Sequence, residues 1–444
     1  MNRSTALIAV ALSWGIASSS PAQDAARDQL RHLQKKRPFG VLWVEAVPNL
    51  KRLLDRAWPK EIVKKCKDAG LKAVAIGVNT TSGEWLIPAK VAPTAVEWGG
   101  QSLLPPYDYL QAVIDAAKPE GIEVHAVVKI FCGGDKKLKR GILYKEHPEW
   151  ATTVLDAVET QELLLRPTVE FTDGKVVSAE IAYLNPYLPL VANFGVDIVD
   201  DVLEKHPALD GVVLENVACD GIFTDFSETA RKLFTPWLEK VSPKKLKNWP
   251  KDVMEVRRLG EDRKVQQGTY YREWIQWRAM RMREWVYRVK EMVRRKRPDL
   301  IFAVSVPAGY GRVETDGANW GQDGYSPSTA WAAKSFNTTG YAQYADYLTV
   351  DVTAPVVEGP ADSVDARLKE TVTAACDNRS EFYPGINVAA FAGKPADLGA
   401  ALLKALNSGQ GVRIGDLAAV EETGAWRTLA QVFAGNVNAF PEAK

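Results

Sequence analysis

From residue 39 onward the chain alternates two kinds of hydrophobic pattern. Short, almost unbroken apolar runs such as Val212-Val213-Leu214 suit parallel strands buried on both faces. Between them lie longer stretches whose apolar residues recur every three or four positions, as in helices with one buried stripe. The runs predict strands at about 39–46, 71–79, 122–131, 209–217, 301–306, 347–353, 382–388 and 411–414. The periodic stretches predict helices at about 50–69, 107–118, 190–205, 271–296, 366–377, 395–407 and 424–433. The junctions Asp68-Ala69-Gly70-Leu71 and Pro119-Glu120-Gly121-Ile122 end a helix and open the next strand. Eight strands with intervening helices predict an α/β fold, a (β/α)8 TIM barrel over residues 38–440.

Two insertions interrupt this rhythm. Residues 148–183 predict a hairpin, with Val169-Glu170-Phe171 and Val176-Val177 flanking the turn Thr172-Asp173-Gly174-Lys175. Residues 307–343 are rich in Gly, Ser, Thr and Asn and carry Trp320 and Trp331. Loops this long inside a compact domain are usually functional. No internal repeat or low-complexity linker divides the chain. The 444 residues therefore read as a single barrel, although that length allows two or three domains.

The first residues follow a different pattern. Arg3 precedes an apolar run from Thr5 to Ala17, and Ser20-Pro21-Ala22 supplies small residues for cleavage. This predicts a signal peptide over 1–22 and a charged leader over 23–37. The run is too short to span a bilayer, and no later stretch approaches 18 apolar residues. The expectation is a soluble, exported protein, periplasmic or extracellular, without a membrane span. With 56 basic and 55 acidic residues, charge provides no reason to expect nucleic acid as a partner. Cys66, Cys132, Cys219 and Cys376 lack C-x-x-C spacing and H-E-x-x-H is missing, so no zinc site is expected; carboxylates could still hold a calcium ion, but no metal or other cofactor is assigned. Cys132 and Cys219 follow neighbouring strands, and oxidation during export could join them. The 14 tryptophans far outnumber the 4 histidines, a surplus that suits stacking on sugar rings.

Active sites of such barrels lie at the carboxyl ends of the strands. Strand period 2 then selects the inward-facing polar ends. Glu215 shares a face with Gly211 and Val213, and Asp351 lies opposite the outward Leu348 and Val350. The same count turns inward Glu45 with Trp43, Lys129 with His125 and Val127, and Asn387 with Tyr383. Carboxylates, a lysine and an asparagine converging over a barrel mouth suit general acid–base chemistry on a glycosidic bond. Glu45 can equally be the structural ion-pair partner of Lys129, and His125, opening its strand, reads as a core histidine. A Schiff base on Lys129 is the weakest reading.

The order of motifs resembles the glycosyl hydrolase-like 10 family, bacterial barrel hydrolases. The residues that carry the likeness are Phe39-Gly40-Val41-Leu42-Trp43, Gly121-Ile122-Glu123-Val124-His125-Ala126, His147-Pro148-Glu149-Trp150 and Leu184-Asn185-Pro186. Asp210 to Glu215, Asp225-Phe226-Ser227 with Arg231 and Phe234, and Tyr344-Ala345-Asp346-Tyr347-Leu348 continue it, over about 38–435. Glu215 stands where the family usually has aspartate, and Val217-Ala218-Cys219-Asp220 replaces its R-Y-P-type stretch. Asp351 stands where methionine or glutamine is common.

The expected function is hydrolysis of glycosidic bonds in an exported glycan, with peptidoglycan-type glycan one possibility implied by the resemblance. Glu215 is the first candidate catalytic carboxylate and Asp351 its partner. Glu45, Asn79, Lys129, Asn387 and Tyr383 are expected to hold sugar hydroxyls, and Trp43, Trp85 or Trp320 to stack on rings. The competing expectation is a non-catalytic carbohydrate-binding barrel that kept the scaffold alone.

Overall fold

The computed structural model describes residues 39–434, apart from 173, 244, 308, 326, 328, 361 and 376–379. The predicted signal peptide and leader, and Cys376, lie outside the described residues.

Eight parallel strands close into a barrel: β1 (Phe39–Val44), β2 (Ala73–Gly77), β3 (Glu123–Lys129), β4 (Gly211–Glu215), β5 (Ile301–Val306), β6 (Tyr347–Val352), β7 (Glu381–Ile386) and β8 (Gly411–Ile414). They are adjacent in chain order and β8 pairs with β1, so the sheet has no free edge. Helices α1 (Trp58–Asp68), α2 (Tyr109–Ala117), α3 (Pro189–Lys205), α4 (Glu228–Val241), α5 (Tyr271–Lys296), α6 (Val364–Ala375), α7 (Pro395–Ser408) and α8 (Trp426–Phe433) cover its outside. Their starts carry local signals. Asp108 accepts from the Gln111 N–H to cap α2, Ser227 accepts from the Ala230 N–H to cap α4, and Pro59 sits in the first turn of α1. Gly70 and Gly121 take the left-handed conformation that ends the helix before β2 and β3.

Period 2 along the strands sorts the apolar side chains. Leu42, Val212, Leu214, Leu348 and Val350 join the large core beneath the helices, whereas Val41, Trp43, Ala75, Val127 and Val213 fill the barrel. His125 is fully buried inside, its Nδ1 3.0 Å from the Tyr347 hydroxyl. Gly211 makes room for it, because a Cβ there would lie 2.6 Å from the imidazole. His125 is thus a core histidine.

The insertions differ from expectation. Thr168–Glu170 is a single 3-10 turn, not a strand of a hairpin over 169–177. The antiparallel pairs are instead Thr153–Ala157 with Leu163–Pro167, and Cys132–Asp135 with Ile181–Tyr183. Two further antiparallel pairs were not anticipated: the short Glu97–Trp98 with Gln101–Ser102, and the hairpin Met254–Leu259 with Asp262–Gln267 between α4 and α5. Between β5 and β6 the described residues make short turns and the four-residue helix Val313–Asp316, so 307–343 is the long loop predicted.

Candidate active site

At the carboxyl ends of β1, β3 and β4 three charged side chains meet. The Lys129 ammonium donates to Glu45 Oε2 at 2.9 Å and, on its other side, to Glu215 Oε2. The Trp43 indole N–H donates to the second Glu45 oxygen at 2.7 Å. The backbone beneath Lys129 is clamped by Asn79, which donates to its carbonyl at 2.8 Å and accepts from its N–H at 2.9 Å. Burial works against the Lys129 ammonium, but the two carboxylates outweigh it and hold its pKa well above the ordinary value. The amine therefore stays protonated, which removes the Schiff-base role. Burial also works against the Glu45 carboxylate, yet Lys129, the Trp43 N–H and Arg413 together hold its pKa below the usual value.

Beside this network opens a cleft of about 210 Å³, lined among others by Glu215, Asn216, Asp351, Arg413, Tyr183 and Trp320. Glu215 and Asp351 come from the ends of β4 and β6, with Ser305 of β5 between them. The Asp351 carboxylate has no hydrogen-bond or ion-pair partner among the described residues. Asn216, directly after Glu215, holds a left-handed backbone (φ 56°) and donates to the Tyr183 hydroxyl at 3.3 Å. Burial pushes the Tyr183 phenol well above its ordinary pKa, so it stays a neutral wall of the cleft. Arg413 reaches inward from β8, its guanidinium 3.9 Å from the centre of the Trp43 ring. No group of three or more His, Cys, Asp or Glu side chains among the described residues is placed to hold a metal ion.

The candidates therefore separate. Glu215 and Asp351 face one cleft, and Glu45 and Lys129 form the adjoining ion-pair network. Asn387 is half-buried after β7, where its side-chain oxygen accepts from the Ala389 N–H. Several expected sugar contacts are corrected by burial. Asn79 is buried and committed to Lys129, and Tyr383 is 1% exposed, donates to Glu381 and stacks on Tyr347 inside the barrel. Trp43 and Trp85 are 1% and 2% exposed, so neither presents a face to a sugar. Trp320 lines the cleft as a buried wall packed edge-on against Tyr310. Cys132 and Cys219 are buried free thiols, and Cys219 Sγ lies 3.1 Å from the Tyr187 hydroxyl, so the predicted disulfide is not formed. The count applied to β4 and β6 also turns Arg413 inward, between the outward Val412 and Ile414. It was missed because β8 is short and its end carries no carboxylate. Tyr183 arrives through a chain excursion that leaves no local signal, and Asn216, next to Glu215, falls on the outward phase of the strand count and enters the cleft only through its left-handed backbone.

Comparison with known proteins agrees with the barrel fold. The profile of the family described as Glycosyl hydrolase-like 10 matches residues 39–357, ending after β6 rather than at 435. An S-layer-related protein of Niallia circulans is 24% identical over 344 residues, 72% of this chain. That stretch covers 20% of the relative, so the chain spans about a fifth of its length. Among solved structures, the glycoside hydrolase domain of PgaB (BpsB) from Bordetella bronchiseptica matches with a TM-score of 0.55 at 12% identity, covering 89% of this chain and 99% of that one. A β-galactosidase from Bacillus circulans sp. alkalophilus matches with a TM-score of 0.54 at 12% identity, covering 90% and 56%. Identities this low speak for the barrel architecture alone, whereas the profile spans six of the eight barrel strands. On that match, the chain belongs to the glycosyl hydrolase-like 10 family.

Proposed function

We propose that the protein is an exported glycoside hydrolase, built as one barrel domain over 38–440, in which Glu215 and Asp351 cleave a glycan by general acid–base catalysis. The observation that carries this reading is that both carboxylates line one cleft at the carboxyl ends of barrel strands. In the register, Leu214 lies level with Val304 and Val304 with Leu348, which places Asp351 two residues beyond the level of Glu215. Two strand spacings across and two residues along separate the backbones by roughly 12 Å. Inward side chains shorten that towards the ~6.5–9.5 Å of an inverting pair rather than the ~5–5.5 Å of a retaining one. Lys129 occupies one oxygen of Glu215 and orients the carboxylate for activating water, while unpartnered Asp351 is placed to protonate the leaving oxygen.

The test is release of reducing ends from defined glycans. Glu215→Gln and Asp351→Asn should each keep the fold and lower turnover on the order of 10²-fold or more. The product anomer, followed by NMR, should be inverted. A Glu215→Gln protein with near wild-type turnover and a lower melting temperature would make Glu215 half of a structural ion pair only. One observation favours the second reading, a non-catalytic carbohydrate-binding barrel: Lys129 already engages both Glu45 and Glu215. Glycan binding without hydrolysis across the whole panel would select it.

A further inference from the structure

Arginines withdrawn from the surface mostly make several short hydrogen bonds, although the Nε atoms of Arg278, Arg281 and Arg283 have no partner among the described residues; Arg413 makes fewer. Arg263 donates to both oxygens of Asp156 at 2.5 and 3.3 Å, and Arg294 to both oxygens of Asp346 at 2.6 and 2.7 Å. Arg278, fully buried, donates to the carbonyls of Gly221 and Thr315 at 2.8 and 3.0 Å. Arg413 is 8% exposed and has five N–H donors, yet its one hydrogen bond among the described residues is a long 3.4 Å contact to Ser305 Oγ. Its Nε is buried without a partner, and no carboxylate lies within ion-pair distance among the described residues. The Trp43 ring beneath stabilises the cation from one face but satisfies none of its N–H groups. Burying the Nε donor without a partner is costly, and the terminal N–H groups, which the protein itself leaves mostly unused, are free to meet a ligand in the cleft. Arg413 lines the cleft that holds Glu215 and Asp351.

We propose that Arg413 binds a carboxylate borne by the sugar, and that the substrate is therefore an acidic glycan. This rests on the glycoside-hydrolase reading of the cleft and names its substrate class. The fork of a guanidinium matches a carboxylate in two parallel hydrogen bonds. The neighbouring acidic groups narrow the choice further. Glu215 and Asp351 line the same cleft and Glu45 is near enough to feel the Arg413 charge, against the single nearby ammonium of Lys129, so a singly charged anion is tolerated better than a doubly charged phosphate. The simplest competing role is an internal one, in which Arg413 swings onto Asp351 and serves the protein alone.

The experiment compares oligosaccharides of polygalacturonate, alginate and hyaluronan with the same glycans after chemical reduction of their carboxyl groups. Sulfated glycans form a separate arm. Cleavage is measured as kcat/KM, and binding as Kd on the Glu215→Gln protein. The wild type should prefer at least one acidic glycan over its reduced form on the order of 10²-fold. That ratio should collapse to within a few-fold in Arg413→Gln and be intermediate in Arg413→Lys, which keeps the charge but loses the fork. Equal values for native and reduced glycans overturn the proposal, as does a preference that survives Arg413→Gln. A stronger response to sulfated glycans overturns the carboxylate assignment. Arg413-dependent binding of acidic glycans with no cleavage would uphold this inference while the enzyme reading fails. Should Arg413→Gln not fold, as judged by melting, the wild-type comparison of native and reduced glycans decides alone.

Discussion

Lys129 carries more of the site than any other single residue. It bridges Glu45 and Glu215 with a side chain only 11% exposed, so each carboxylate depends on it for compensation. Replacing Lys129 by Met leaves both carboxylates close together without the cation between them, and should cost about 3 kcal/mol near neutral pH. The pH dependence has a definite sign. Glu45 is held below its ordinary value of 4.5, so its contribution is present above 4.5 and is lost as pH falls through the folded value. Lys129 is held above 10.5, so its contribution is present below 10.5 and disappears only as pH rises through the folded value. Melting temperature against pH should therefore show the wild type losing this stabilisation only below about pH 4.5. The Lys129→Met deficit should narrow in acid, where its two carboxylates take up protons. A deficit that stays constant from pH 7 to pH 4 would show that the loss is packing rather than charge.

At the scale of elements, β4 is placed by what its first residue lacks. Gly211 faces His125, which in turn meets Tyr347 across the barrel. A methyl group at 211 would sit 2.6 Å from Cδ2 and 2.9 Å from Cγ of the imidazole and push it away from the Tyr347 hydroxyl. Gly211→Ala should therefore destabilise the fold by about 2 kcal/mol in chemical denaturation. An unchanged midpoint would mean the barrel interior yields at no cost. The insertion above β4 is tied down by Asp225, which accepts from the Thr153 N–H at 2.6 Å and the Asn185 side chain at 2.7 Å. Burial pushes its carboxyl up to about 6, against the donors that favour the charged form. That anchor explains how Asn185 and Asp225, both in motifs of the family likeness, hold loops at the barrel mouth without entering the cleft.

On the scale of the whole molecule, closure of β8 onto β1 assembles the site. Arg413 reaches Trp43 and Ser305 only because the last strand pairs with the first. The family profile ends at 357, before β7 and β8, so the residue proposed to select the substrate lies outside the matched region. The thiols give a check on the loops at the mouth. Cys66, Cys132 and Cys219 are free and buried, so a denatured, non-reduced chain should show at least three reactive thiols. Two or fewer would mean that Cys132 or Cys219 turns away from the position described.

The strands and the inward direction of their last residues were legible in the sequence. Apolar runs and period 2 are local properties, and they carried Glu45, Lys129, Glu215 and Asp351 to the right face and end. The order of motifs along the chain was enough to carry the family likeness. Burial was not legible. Trp43, Trp85 and Asn79 have the chemistry of sugar contacts, but whether an aromatic ring or amide meets solvent depends on what packs against it from distant segments. For Asn79 that is the backbone of Lys129, and for Trp43 the guanidinium of Arg413. The pairing of the insertions was hidden for the same reason, because Cys132–Asp135 takes its partner strand from Ile181–Tyr183 across the intervening segment. Sequence periodicity reports which way a side chain points. Only the closed barrel decides which side chains lie opposite one another, and therefore which charges are compensated and which remain for a ligand.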